Sequence, residues 1–291
     1  MINPGSGGKK FKPKWEEQIR EHQLLQRVDA RYYNMCGDND LQAIKTLIDR
    51  FAPEKLVAVG GDGTVSLAAK LIMGTPIKLG IIPAGSANGM AKELNLPSTL
   101  NECIDIILNG KSLLTDIINI NNDLICLHLA DIGMNARLIK YFDSGNIRGK
   151  LGYAKVLFKV FWRKELIRVT LKTDNGTLHR KAFMVVLANA RKYGTGAVIN
   201  PKGQLQDGLF ELVIVRRLAL SEIFKTIFRP GPFNEEKIEI IQTARAEISC
   251  SHPAHFQVDG EYLGRVRNVS AKISTEKLHV LVDNRFDPSE L

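Results

Sequence analysis

The chain has 291 residues, of which 44% are hydrophobic and 24% are charged, a composition ordinary for a soluble globular protein with one large domain or two. No apolar stretch reaches the roughly 18 residues of a membrane-spanning helix, so we expect no transmembrane segment. The formal net charge of +9 predicts attraction to an anionic partner, which leaves nucleotides, nucleic acids and acidic membrane surfaces as candidates.

The cysteines and the first residues predict a cytoplasmic protein. Four cysteines are scattered without a Cys-x-x-Cys pair, which argues against a disulfide framework and against a cysteine zinc site. The lysines near the start are followed by polar residues and not by the apolar segment of a signal peptide.

The chain begins with a Gly-rich loop at residues 3–8, which lacks the spacing of a phosphate-binding P-loop. Only residues 1 and 2 precede this loop, so we expect the first strand of the domain to be largely missing. Hydrophobic periodicity predicts helices over residues 15–28 and 40–51.

The next segment predicts a strand, a tight turn and a helix. An apolar run at residues 56–59 predicts a buried strand, the turn Gly60–Thr64 follows, and a helical pattern begins at Val65. Such a turn points backbone N–H groups and the positive end of a helix dipole at one place, which suits a phosphate. The alternative is an ordinary helix start, with Asp62 or Thr64 as the N-cap.

A second unit of the same kind follows. Residues 79–82 predict a strand, Pro83–Gly89 a Gly-rich loop, and a helix begins at Met90; a further helix is predicted over residues 100–108. Alternating strands and helices predict a mostly parallel sheet, in which ligands bind at the carboxyl ends of the strands. We therefore expect both Gly-rich loops to lie together at one edge.

From Asp116 the pattern changes to strands separated by turn residues, which predicts an antiparallel sandwich or barrel and a domain boundary near Thr115. The predicted strands are 117–121, 124–130, 167–171, 182–190, 210–215, 238–241, 256–258 and 266–273. Two helices interrupt them. The basic amphipathic helix at residues 150–164 either packs on the sheet or lies on an anionic membrane, and the helix at 221–228 is interpreted as structural.

Three further segments contain side chains of the types that act in catalysis or bind metal ions. Asp207, in an Asp-Gly turn, either shapes the turn or binds a hard cation such as Mg²⁺. Glu261, just after the Asp259–Gly260 turn, is either a solvated glutamate or a general base. The histidines at residues 252 and 255 are interpreted as loop residues, because a proline between them disfavours a helical metal site.

Taken together, these motifs resemble the diacylglycerol kinase catalytic-domain family, which includes bacterial lipid kinases and sphingosine kinases and is related to NAD kinases. The matching motifs, in the family's order, are Asn3-Pro4-x-Ser6-Gly7, Gly60–Thr64, Pro83–Asn88, Asp207-Gly208 and Val258–Glu261. The resemblance spans essentially the whole chain. It implies a Rossmann-like α/β ATP-binding domain at residues 1–115, a β-sandwich lipid-substrate domain at 116–281, a cleft between them, and a return of residues from about 282 to 291 to the first domain.

The resemblance also implies roles for individual residues. Glu261 matches the general base, and Asp62 acts through Mg²⁺ or on the acceptor hydroxyl, because a carboxylate repels a phosphate unless a cation lies between them. A structural Mg²⁺ matches Asp207 with backbone oxygens of Gln204 and Leu209. The implied nucleotide contacts are Gly60, Gly61, Asp62, Gly63, Thr64, Ser86 and Asn88.

The chain departs from the family pattern at three places. Gly89 stands where the family commonly has an aspartate that joins a network with the residues matching Asp62 and Asp116. Tyr33 stands in the region where bacterial members often have a nucleotide-contacting threonine. The third departure is the shortened first strand.

The prediction from the sequence is an ATP- and Mg²⁺-dependent lipid kinase that acts on a membrane lipid such as diacylglycerol. We expect the protein to be cytoplasmic, to associate peripherally with an anionic membrane and to bind no nucleic acid. The sequence does not decide whether it forms a homodimer. The alternatives are the same chemistry on NAD or on a sphingoid lipid, and a non-catalytic regulator that binds nucleotide or lipid, which Gly89 motivates.

Overall fold

The structure is a computed structural model. It describes residues 1–6, 17–19, 21–22, 28–37, 39–137, 165–192, 198–217 and 233–288. The helices predicted at residues 150–164 and 221–228 lie outside the described residues. The chain divides into two units, Met1–Thr115 with Glu276–Leu291, and Asp116–Thr275.

In its described part, the first unit is a four-stranded sheet with helices between its strands. Its helices are α1 (Asp40–Phe51), α2 (Asp62–Ile72), α3 (Gly89–Glu93) and α4 (Leu100–Asn109). Its strands are β1 (Lys55–Gly60), β2 (Lys78–Pro83), β3 (Lys111–Thr115) and β14 (Leu278–Val282), in the spatial order β1-β2-β14-β3. β1, β2 and β14 are parallel and β3 is antiparallel to β14. The predicted α/β fold of this part is confirmed.

The end of the chain contributes an inner strand to this sheet. β14 lies between β2 and β3, and Leu278 and Val280 are fully buried there. The return to the first unit therefore begins at Glu276, earlier than the expected residue 282, because the apolar run at 278–282 fills a position buried between two other strands. The sequence did not predict β3 or β14.

The first residues pair with β1. They occupy the place of the first strand, which the sequence predicted to be largely missing. Ile2 bridges in parallel both to Val59 and to Asn34. The N–H of Val59 donates to the carbonyl of Met1 and the N–H of Asn3 donates to the carbonyl of Val59, each at 3.0 Å. This pairing places Asn3 next to the end of β1.

The second unit is antiparallel throughout its described strands. These are β4 (Ile118–Ile120), β5 (Leu124–Cys126), β6 (Leu129–Gly133), β7 (Ile167–Thr173), β8 (Gly176–Ala182), β9 (Met184–Ala188), β10 (Phe210–Val215), β11 (Ile238–Thr243), β12 (Arg245–Val258) and β13 (Glu261–Ile273). Eight of them follow the order β11-β10-β9-β6-β12-β13-β4-β5, and β7 and β8 join through β12. Residues from most of these strands, among them Phe210 and Phe256, share one apolar core. The predicted antiparallel second domain is confirmed.

The interpretation of His252 and His255 as loop residues was wrong, because both lie within β12. A register shift between Ser249 and Ala254 leaves Pro253 outside the regular hydrogen-bonding ladder, which lets the strand continue through a proline. His255 is buried, and its Nδ1 lies 2.7 Å from the Tyr262 hydroxyl.

Candidate functional site

The two Gly-rich loops of the first unit touch backbone to backbone. β1 and β2 are parallel neighbours and end in register at Gly60 and Pro83, so the loops that follow leave the sheet at the same edge. A Cβ atom on Gly85 would lie 2.5 Å from Cα of Gly61, a distance that no side chain allows. The N–H of Ala84 also donates to the carbonyl of Gly60 at 2.8 Å. The expectation that the two loops lie together is confirmed.

Thr64 turns its side chain inward. A Cβ on Gly60 would overlap the Thr64 hydroxyl, and Thr64 is only 3% exposed. Its Oγ1 accepts a 3.0 Å hydrogen bond from Nδ2 of Asn3, whose Oδ1 accepts from the N–H of Gly5 at 2.9 Å. The hydroxyl of Thr64 therefore joins the first loop of the chain to the α2 turn. The sequence marks Asn3 only as part of a motif and does not predict its place beside Thr64.

Asn88 shapes the second loop from within. Its backbone is left-handed, with φ of 50°, and its Oδ1 accepts from the N–H of Gly85 while its Nδ2 donates to the carbonyl of Gly85, both at 2.8 Å. This pair of hydrogen bonds closes the loop into a tight ring. Ser86 belongs to this loop and is exposed to solvent.

Asp62 is the first residue of α2 and lies opposite the start of α3. One carboxylate oxygen is 3.4 Å from the N–H of Met90, a long hydrogen bond. The first amides of α2, those of Asp62 and Gly63, have no partner inside the helix because a helix leaves its first N–H groups unpaired. Gly63 is exposed. This turn therefore combines free backbone donors with one carboxylate.

In the second unit, Asp116 holds the turn that contains Asp207. Asp116 is 1% exposed, and its Oδ2 accepts from the N–H of Gly208 at 2.7 Å, while its own N–H donates to the carbonyl of Leu205 at 2.7 Å. Asn189 Nδ2 donates to the carbonyl of Asp116 at 2.9 Å. These contacts place Asp116 as a support of the 205–208 loop.

Asp207 is exposed and both of its oxygens accept hydrogen bonds. Oδ1 accepts from the N–H of Leu209 and Oδ2 from Nε2 of Gln242, each at 3.0 Å. Each oxygen keeps a further lone pair, and carboxylate and carbonyl oxygens are the donors that Mg²⁺ prefers, so the predicted set with Gln204 and Leu209 has suitable chemistry. Within the described ranges, no cluster of three or more His, Cys, Asp or Glu side chains is placed to hold a metal ion.

Glu211 is a buried neighbour of this turn that the sequence did not reveal. It is 3% exposed on β10 and accepts hydrogen bonds from Asn200 Nδ2 at 2.6 Å and from Gln242 Nε2 at 3.1 Å. Burial raises the pKa of Glu211, and the charge of Asp207 raises it further. Gln242 thus bridges two carboxylates.

The Asp259–Gly260 turn joins β12 to β13 and is anchored through its aspartate. Both residues have positive φ, 48° and 91°, as a type I′ hairpin requires. The Asp259 carboxylate accepts from the backbone N–H groups of Leu127, His128 and Leu129 at 2.9, 2.9 and 3.2 Å. Burial nevertheless raises the pKa of Asp259. Glu261 follows as the exposed first residue of β13.

Asp131 on β6 is a fully buried carboxylate close to this turn. Its Oδ1 accepts from the N–H of Ala136 at 2.8 Å, and its Oδ2 accepts from Asn135 Nδ2 at 2.6 Å and from Gln257 Nε2. Desolvation raises the pKa of Asp131 to about 6 despite these three donors. No motif in the sequence marks Asp131.

Comparison with known families accounts for both units. The family described as diacylglycerol kinase catalytic domain matches residues 1–120, and the YegS C-terminal NAD kinase beta sandwich-like domain matches residues 129–282, more than half of the chain. The chain belongs to the family of the YegS C-terminal NAD kinase beta sandwich-like domain, and its first 120 residues match the diacylglycerol kinase catalytic domain. The family resemblance is thereby confirmed, and with it the enzyme class, a kinase and hence a phosphotransferase.

Individual relatives are consistent with these two family matches. The diacylglycerol kinases of Staphylococcus aureus strains MRSA252 and Newman are each 26% identical over 275 residues, which is 91% of this chain and 86% of the relative. A putative diacylglycerol kinase from Bacillus anthracis str. Sterne superposes with a TM-score of 0.80 at 18% identity, covering 98% of this chain and 96% of that one. An NAD kinase from Archaeoglobus fulgidus in complex with ATP has a TM-score of 0.56 at 14% identity, covering 95% and 92%. The predicted fold class is confirmed.

Among the residues that the structure describes, no helix has the length and apolar character needed to cross a membrane.

The contact between the two loops gives a prediction about stability. Gly85→Ala places a methyl group against backbone, so we expect the free energy of unfolding to fall by about 1–3 kcal/mol in the absence of nucleotide. Gly63→Ala is the matched control, because a Cβ there meets nothing within 4 Å and alanine favours a helix. Thermal unfolding of both variants measures the difference; equal melting temperatures would contradict the close approach of the loops.

The buried carboxyl of Asp131 gives a prediction about pH. Its pKa of about 6 lies above the unfolded value, so its contribution to stability is full below about pH 4 and is lost as the pH rises through 6. Relative to Asp131→Asn, which does not titrate, the wild type should lose up to about 3 kcal/mol between pH 4 and 7.

Urea unfolding at a series of pH values measures this difference. Asp283→Asn serves as the control, because hydrogen bonding to Arg285 lowers the pKa of Asp283 to about 2 and its titration therefore lies below the range studied. Parallel stability curves for wild type and Asp131→Asn would show that the pKa of Asp131 is not raised.

Proposed function

We propose that this kinase transfers the γ-phosphate of ATP to the hydroxyl of a membrane lipid such as diacylglycerol. The observation that carries the proposal is the backbone contact between Gly61 and Gly85, which puts the free amides of the α2 turn beside the second loop. The acceptor is proposed from the Staphylococcus aureus relatives, which are named diacylglycerol kinases.

The α2 turn is proposed to hold the phosphates of ATP. The amides of Asp62 and Gly63 point out of the helix start, where the helix dipole is positive, and the glycines let a phosphate approach the backbone. Gly60, Gly61 and Thr64 shape this turn, and Ser86 and Asn88 contribute from the second loop. When bound, Mg²⁺ supplies charge neutralisation between phosphate and carboxylate; Asp62 is the side chain of this loop suited to hold it.

Glu261 is proposed as the general base. Its carboxylate takes the proton of the lipid hydroxyl, the hydroxyl oxygen forms a bond to the γ-phosphorus in line, and the bond to the β-phosphate oxygen breaks to release ADP. An exposed carboxylate on a rigid hairpin suits this role, because it meets an incoming acceptor without first leaving a buried position.

A second Mg²⁺ is proposed at the turn containing Asp207, with backbone oxygens of Gln204 and Leu209. Its role there would be structural, since the turn is already tied to Asp116 and Gln242. The net charge of +9 supports docking at an anionic membrane surface, and the amphipathic segment at residues 150–164 is the proposed contact.

Two alternatives remain open for the acceptor. NAD is favoured by the NAD kinase-like description of the second unit's family and by the fold shared with the Archaeoglobus fulgidus NAD kinase. A sphingoid lipid would use the same hydroxyl chemistry. A regulator that binds nucleotide without turnover is the alternative motivated by Gly89.

The acceptor is tested by phosphate transfer from labelled ATP. We expect product with diacylglycerol in anionic mixed micelles, no product with NAD, and loss of activity in EDTA that returns with Mg²⁺. Product with NAD or sphingosine alone would replace the proposed acceptor. ATP binding without product from any acceptor would favour the regulator.

The residue roles are tested by two isosteric substitutions. Glu261→Gln and Asp62→Asn should each lower kcat by about 10²–10⁴-fold, the range for loss of a general base or an electrostatic stabiliser. The matched controls are Glu247→Gln and Asp49→Asn, exposed carboxylates on β12 and α1. Wild-type rates for Glu261→Gln and Asp62→Asn would show that the roles are misassigned.

A further inference from the structure

The turn that carries Glu261 is held by a buried amide. Gln257 lies near the end of β12, is 1% exposed, and faces Asp131 of β6 as its direct cross-strand partner. Its Nε2 donates to Oδ2 of Asp131, and its Oε1 accepts from the N–H of Gly260 at 2.8 Å. Gln257 therefore connects a buried carboxylate to the residue directly before Glu261.

The orientation of the Gln257 amide follows from its two partners. An ionised carboxylate only accepts and a backbone N–H only donates, so the NH₂ end must face Asp131 and the oxygen end must face Gly260. Asp131 is itself fixed by Asn135 and by the N–H of Ala136. One amide orientation satisfies all of these groups.

This contact completes the anchoring of the hairpin. In a two-residue turn the N–H of the second central residue is left outside the hydrogen-bond ladder, yet here Gln257 binds the N–H of Gly260. The other side of the turn is held by the Asp259 carboxylate on residues 127–129 and by the N–H of Asp259, which donates to the carbonyl of Leu129 at 2.9 Å. The peptide before Glu261 is thus fixed from both sides.

The Glu261 side chain takes no part in this network. None of the hydrogen bonds and ion pairs found among the described residues involves its carboxylate, which is exposed. Its position depends on the backbone of the turn, so a small rotation of the Gly260 peptide would displace the carboxylate relative to an acceptor.

We infer that Gln257 is a positioning residue for phosphoryl transfer, which orients Glu261 through the Gly260 peptide and is itself oriented by Asp131. The inference rests on the proposed function, in which Glu261 is the base. Misplacing a catalytic group by about 1 Å can cost on the order of 100-fold in rate, so a residue that touches no substrate can still control kcat.

The first test is a double-mutant comparison on the full-length enzyme. Gln257→Met keeps the size of the side chain and removes both hydrogen bonds, and we expect kcat to fall about tenfold or more with KM for ATP unchanged. In the Glu261→Gln background the same change should cost nothing further, because both act through one group. Arg245→Met, at the far end of β12, is the matched control and should leave kcat unchanged.

Amide hydrogen exchange supplies a readout independent of activity. Exchange of the Gly260 N–H should be slow in the wild type, fast in Gln257→Met and slow in Arg245→Met. Additive losses in the double variant, or unchanged kcat in Gln257→Met, would overturn the inference. If Glu261→Gln alone keeps wild-type kcat, the proposed base has failed, and that outcome is distinct from a failure of Gln257.

A second variant covers the case in which Gln257→Met fails to fold. Gln257→Glu keeps the shape and the acceptor for Gly260 but puts a second carboxyl beside Asp131. The titratable groups around it are Asp131 on β6, Tyr262 on β13, and Asp259 and His128 beside the turn. We expect its kcat relative to wild type to rise as the pH is lowered and one carboxyl takes up a proton; a ratio independent of pH would contradict the role of the Asp131 contact.

Discussion

The absence of side chains at Gly61 and Gly85 is the constraint on which the first unit's candidate site depends. Parallel pairing of β1 and β2 brings the two loops to one edge, but only two glycines let their backbones come within a distance that any Cβ would block. The α2 turn is then backed by the second loop, and its free amides keep one fixed direction. A kinase needs such fixed donors because phosphoryl transfer is assisted mainly by positioning and by electrostatic stabilisation.

In the second unit, side chains and not close backbone contacts hold the turns in place. Two tight turns carry the residues of interest, and each is held by an aspartate whose carboxylate accepts hydrogen bonds from backbone N–H groups. Asp116 binds the N–H of Gly208 beside Asp207, and Asp259 binds three N–H groups beside Glu261. Burial raises the pKa of Asp259, and the hydrogen-bond donors oppose that effect. Both turns expose one carboxylate while a neighbouring one is used internally.

The local motifs could be predicted from the sequence, whereas the pairing of distant strands could not. Both Gly-rich loops and the Asp259–Gly260 turn follow from residue types with special backbone preferences. β3 and β14 were missed because each has only five residues, and their pairing joins residues 111–115 to the distant residues 278–282. β12 was recognised only at its end, although Ala246, Ile248 and Cys250 alternate inward along its first half.

Side-chain partners were the hardest part of the site to predict. Thr64 and Asn88 were assigned to the nucleotide from their motifs, and the structure gives each a hydrogen bond inside the protein as well. Nothing in the sequence links Gln257 to Asp131, since they are separated by 126 positions and meet only through strand pairing. Residues that support a motif from a distant strand are therefore harder to recognise in a sequence than the residues that form the motif.

The departure at Gly89 has a local compensation. In the family pattern an aspartate there would add a second carboxylate near Asp62, and two carboxylates beside a triphosphate repel both each other and the ligand. Here the N-terminal end of α3 faces Asp62, and the N–H of Met90 lies 3.4 Å from its carboxylate. This backbone donor stabilises part of the negative charge of the Asp62 carboxylate. Asp62 therefore has a hydrogen-bond partner at the start of α3 although position 89 carries no carboxylate.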